Sequence, residues 1–95
     1  MTNTPAQIAR SALMAAQDDY ASLVPEYRDA EKAYKASKTQ VRWTRYVAAL
    51  TALDHADDVV TAALKALIEA EQAEVADQAA QALAAEQAAS PTFDL

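Results

Sequence analysis

Residues 34 to 43 read Tyr34-Lys35-Ala36-Ser37-Lys38-Thr39-Gln40-Val41-Arg42-Trp43, and this stretch decides the fold. Ser37 followed three positions later by Gln40 is the capping-box pattern of a helix start, and the apolar run Val41, Val47, Leu50, Leu53 comes after it. Upstream, larger side chains recur every seven residues at Leu13, Tyr20, Tyr27, Tyr34 and Val41, with Ala9, Ala16, Leu23 and Ala30 between them. Downstream, the spacing predicts a second seam with Leu50, Asp57 and Leu64 in one column and Leu53, Val60 and Leu67 in the other. Two apolar stripes separated by a start signal predict an all-α chain folded as an antiparallel, coiled-coil-like helical hairpin. Folding back at residues 37 to 40 sets Leu13 against Leu64, Tyr27 against Leu50, Leu23 against Leu53, Ala16 against Val60, and Tyr34 beside Trp43. The same alignment sets Asp57 opposite Tyr20, where a phenol donating to a carboxylate would fix the register.

Working outward, Thr4-Pro5-Ala6-Gln7 combines an N-cap hydroxyl, a proline at the first helical position and a glutamine three residues after the cap. The first helix is therefore expected over residues 5 to 37, kinked at Pro25, where the ring removes a backbone hydrogen bond. The second helix is expected over residues 39 to 89. Its last part, residues 73 to 89, outruns the first helix and forms an arm with high helix propensity and two larger apolar side chains, Val75 and Leu83. Residues 91 to 95 form a tail. The alternative is a three-helix bundle with breaks at Pro25 and at Asp54-His55, where Asp54 would cap a new helix.

Composition narrows the function classes. The 95 residues contain no glycine, which disfavours phosphate-cradling loops and tight hairpins, and no cysteine, which removes disulfides and thiolate chemistry. Alanine accounts for 26 residues, so about half of the hydrophobic positions offer only a methyl group to a core. The opening Met1-Thr2-Asn3-Thr4-Pro5 lacks the charge and apolar run of a secretory signal, and charged residues or glutamine interrupt every alanine-rich run. The expected compartment is the cytoplasm, including that of a host cell, or a virion.

Reactive side chains are sparse. His55 lies near Asp54, Asp57 and Asp58 but has no second nitrogen or sulfur ligand beside it, so a metal role is not expected. Asp18 and Asp19 point in different directions on a helix, and Glu71 and Glu74 have no nucleophile beside them. No catalytic residue and no cofactor are expected.

Charge is more informative. The net charge of −6 conceals a basic stretch, residues 26 to 45, with six basic and three acidic groups. From residue 46 onward, Lys65 alone faces nine carboxylates. The aromatic and basic residues of segment 27 to 46, among them Arg28, Lys32, Lys35, Arg42, Trp43 and Arg45, suit either a solvated face or a phosphate track. The whole chain's acidity disfavours nucleic acid. Val59, Val75 and Leu83 are poorly used by a two-helix seam and are candidate contact residues, as are Phe93 and Leu95 beside the terminal carboxylate.

A hairpin with Trp43 beside its turn is similar in architecture to the small secreted Trp-x-Gly helical hairpins. Trp43-Thr44-Arg45 has arginine where that motif has glycine, no Tyr-x-x-x-acid signal follows, and the family is not assigned. The sequence thus predicts a non-enzymatic interaction protein. It would be a self-assembling structural piece, or an adaptor or inhibitor of a larger protein, with the economy of a virus or mobile element. Its partner would be protein, in a homo-oligomer or hetero-complex. The alternative is a nucleic-acid accessory protein.

Overall fold

The computed structural model describes residues 2 to 89. Helix α1 spans Pro5–Ala36 and helix α2 spans Gln40–Ala89, and the two lie antiparallel against each other as a helical hairpin. The molecule measures 87 × 27 × 13 Å, so it is a single layer barely thicker than one helix.

The predicted start of α1 is realised in full. The Gln7 backbone N–H donates to Thr4 Oγ1 at 3.2 Å and the Thr4 N–H donates to Gln7 Oε1 at 2.9 Å, with Pro5 in the first turn. At the turn each helix bound differs from expectation by one residue, and the capping residue of α2 by two. Ser37 ends α1, its N–H donating to the Ala33 carbonyl at 3.1 Å, and Thr39 rather than Ser37 caps α2, accepting from the Arg42 N–H at 3.2 Å. A three-residue connection is as short as two antiparallel helices accept, which forces them side by side.

Helix α1 runs through Pro25, so the three-helix alternative fails, and α2 runs through Asp54-His55 without a break. Pro25 is tolerated because it lies on the outer side. The carbonyl it leaves unpaired belongs to Ala21, and both residues are exposed, so water can take the missing donor's place.

The seam is narrower than the sequence suggested. On α1 the covered positions include Ala6, Ala9, Leu13, Ala16, Tyr20, Leu23, Tyr27, Ala30 and Tyr34, a regular three-four alternation, with Val24, Glu31 and Ala33 half-buried beside them. On α2 they are Tyr46, Ala49, Leu53, Ala56, Val60, Ala63, Leu67, Ala70 and Glu74, with Leu50 and Ala52 half-buried beside them. The second column of α2 is therefore Ala49, Ala56, Ala63, Ala70, one residue before the expected Leu50, Asp57, Leu64. Residue numbers of facing positions sum to about 76, which opposes a larger side chain to a small one in most layers: Leu13 to Ala63, Tyr20 to Ala56, Ala16 to Val60 and Ala9 to Leu67. The physical reason is volume. A large residue on one helix fills the space that a methyl group leaves on the other, and the backbones can approach closely without a void. The most buried positions are mostly alanine: Ala30 at 0% exposure, Ala6 at 3% and Ala16 at 5%.

This shift removes the expected Tyr20 to Asp57 contact. Asp57 is exposed, Ala56 occupies its layer, and no hydrogen bond among the described residues joins it to Tyr20. Register is set by shape complementarity, together with the aromatic cluster at the turn.

Candidate interaction surface

The turn end is built from four aromatic side chains. Tyr34 and Trp43 meet at a centroid distance of 5.2 Å, as the sequence predicted, Tyr27 and Tyr46 at 5.7 Å, and Trp43 stacks on Tyr46 at 6.0 Å. The Tyr27 and Tyr46 hydroxyls lie 3.3 Å apart. That hydroxyl and the Glu31 carboxylate hold the Tyr27 phenol above the usual tyrosine range. Hydrogen bonding from Tyr27 and then from Lys35 holds Glu31 below the usual carboxylate range.

The basic residues of this end divide into committed and free. Arg42 donates through Nη1 to the Ala33 carbonyl at 2.9 Å, a second hydrogen bond on the oxygen that already accepts from the Ser37 N–H at the C-terminus of α1. Lys35 donates to Glu31 Oε1 at 3.1 Å. Arg28, Lys32, Lys38 and Arg45 are exposed, and the ion pairs among the described residues include none of them. Trp43 keeps 44% of its surface in solvent.

The opposite end is the arm. Arg10 and Glu71 face each other at 4.0 Å, and Pro5 borders the same shallow recess as Ala70, Ala73, Glu74 and Asp77, which marks where α1 begins alongside α2. From Val75 to Ala89 every residue is exposed. Val75 at 65% and Leu83 at 56% are in solvent. A side-chain bond from Gln81 to Asp77 at 3.0 Å supports the arm from one turn to the next.

Between the ends, Val59 borders an open groove of about 390 Å³ floored by Ala16, Leu23, Ala52 and Ala56, with Asp19, Ser22 and His55 at its rim. Phe93 and Leu95 lie outside the described residues. Met14 and Ile68 were not singled out by sequence, and Leu64 was placed in the seam against Leu13, yet each leaves about half of its surface in solvent or more. Their signal was present: displacing the seam by one residue moves Leu64 out of it and aligns it with Ile68 and Val75 on a second stripe. No helix among the described residues is long and apolar enough to cross a membrane. Compared with known proteins, the chain matches no family model, no curated protein and no solved structure.

Proposed function

We propose that this protein works by protein contact, as a non-catalytic helical hairpin that presents a helical arm and an apolar flank to another polypeptide. The observation that carries this reading is the second stripe of α2. Leu64, Ile68 and Val75 recur at helical spacing on a face that α1 does not cover, and they lead onto an arm with no partner of its own. A surface of this kind suits assembly into a larger structure or capture of a larger protein, in the setting of a cell's cytoplasm, a virus or a mobile element.

Nucleic acid is the second reading, favoured by exposed Trp43 at the same end of the hairpin as the free Arg28, Lys32 and Arg45. It is the weaker one. Tyr27, Tyr34 and Tyr46 are engaged with one another, Arg42 and Lys35 are used within the fold, and the net charge of −6 repels polyanions.

A photo-crosslinking residue placed at Val75, and separately at Trp43, in the cell that makes the protein separates the two. The expected result is a protein adduct from position 75. Nucleic-acid adducts from position 43 with none from position 75 would replace this reading by the second.

A further inference from the structure

We propose that the occupant of the exposed flank is a second copy of this chain, bound antiparallel about a two-fold axis that crosses α2 between residues 61 and 68. This rests on the protein-contact reading and names its partner.

The first argument is where the apolar surface lies. Counting heptads outward from the seam, one flank of the hairpin holds Met14 and Val24 on α1 and Trp43, Val47, Leu50, Leu64, Ile68 and Val75 on α2. Six of these, Met14, Trp43, Val47, Leu64, Ile68 and Val75, are among the exposed large hydrophobic residues. In a register near 76, Met14 lies level with residue 62, so Met14, Leu64 and Ile68 form an apolar centre midway along α2. A patch centred on a helix's own midpoint can meet itself through a two-fold axis.

The second argument is charge. From residue 66 to 89 the chain carries Glu69, Glu71, Glu74, Asp77 and Glu86 and no base, whereas the turn end carries the free Arg28, Lys32 and Arg45. Neither end of α2 carries a charge that favours its dipole: no acid lies in its first turn and no base in its last, while Arg42 lies in the first turn and Glu86 in the last. Each end is thus electrostatically unsatisfied within one chain and complementary to the opposite end of another. An antiparallel pair brings each acidic arm over the partner's basic turn end and relieves all four ends at once. Pairing the arms alone would instead bring carboxylates together, and a head-to-tail chain would leave the Leu64 and Ile68 centre uncovered. The arm also finds an apolar bed in this arrangement, because Trp43, Val47 and Leu50 lie on the flank it would cover.

The test combines mass, charge exchange and cross-linking on the full chain. Sedimentation equilibrium at tens of micromolar is expected to give about 20 kDa, twice the 10.2 kDa chain. Leu64→Glu with Ile68→Glu should return it to the monomer mass with helicity unchanged, since neither residue belongs to the seam. Arg28→Glu with Lys32→Glu should weaken association about tenfold or more, and adding Asp77→Lys with Glu86→Lys in the same chain should restore it. The chain has no cysteine, so Leu64→Cys should form a disulfide-linked dimer, while Ala82→Cys should not, its two copies lying about 50 Å apart along the axis.

A monomer at all concentrations overturns the proposal, as does a dimer indifferent to Leu64→Glu with Ile68→Glu. A monomer that still cross-links at position 75 to a different protein in the cell discards the second copy and keeps the protein-contact reading. A monomer with no such adduct discards both.

Discussion

The hairpin body and the arm are both helical, yet different forces hold them. In the body, each turn of α1 covers a turn of α2, and alanine serves as the small partner that lets Leu13, Tyr20 or Leu67 fill the layer opposite. In the arm, residues 75 to 89 are richer still in alanine, 8 of 15, and every one of them is exposed. The same residue type therefore acts through volume in one region and through backbone propensity in the other. Alanine content alone does not distinguish a core from a surface; a large side chain across from it on the other helix does.

The largest break in this comparison should come from shortening matched leucines. Leu67→Ala in the seam should destabilise the hairpin by about 2 kcal/mol or more, lowering Tm by about 10 °C, whereas Leu83→Ala in the arm should cost less than about 0.5 kcal/mol in a dilute monomer. Thermal unfolding followed by circular dichroism reads both. Equal losses would mean that the arm is packed within the single chain.

Enlarging matched alanines sharpens the point from the other side. Ala30→Leu places three extra carbons where Ala30 has 0% exposure, and overpacking there should cost about 1 to 3 kcal/mol. Ala80→Leu, on the exposed arm, should be close to neutral because leucine is nearly as good a helix former as alanine. Urea unfolding midpoints at one protein concentration decide it.

The hairpin fold, the start at Pro5, the turn between the helices, the Tyr34 to Trp43 contact and the outward arm were legible in the sequence. They follow from capping residues, seven-residue spacing and unequal helix lengths, which are local signals. The second column of the seam was not legible, because a hydrophobicity count favours Leu50 and Leu64 over Ala49 and Ala63. Which column faces inward depends on what lies across from it, a property of two segments jointly. The Tyr20 to Asp57 contact failed with it. The commitment of Arg42 to the Ala33 carbonyl was also hidden, since its long side chain reaches across the turn to a backbone acceptor nine residues earlier.

The smallest predicted effect concerns pH at the turn end. Glu31 is held below the ordinary carboxylate range by Tyr27 and Lys35, so its contribution is present above the unfolded-state value and is lost as pH falls through the lower, folded-state one. Fluorescence of Trp43, the chain's one tryptophan and a neighbour of Tyr34 and Tyr46, should show a small acid transition that Glu31→Gln removes. An unchanged transition in that variant would assign it to another carboxylate.

The most direct test of the contrast between body and arm is amide hydrogen exchange, residue by residue, at dilute and at high protein concentration. In the dilute monomer, residues 46 to 70 should exchange slowly, through opening of the whole hairpin, and residues 75 to 89 rapidly, by fraying from the open end. Raising the concentration should protect the arm and leave the ranking within the body unchanged. Protection of residues 75 to 89 equal to that of the seam at every concentration would contradict the account, because it would show that the arm needs no partner to be held.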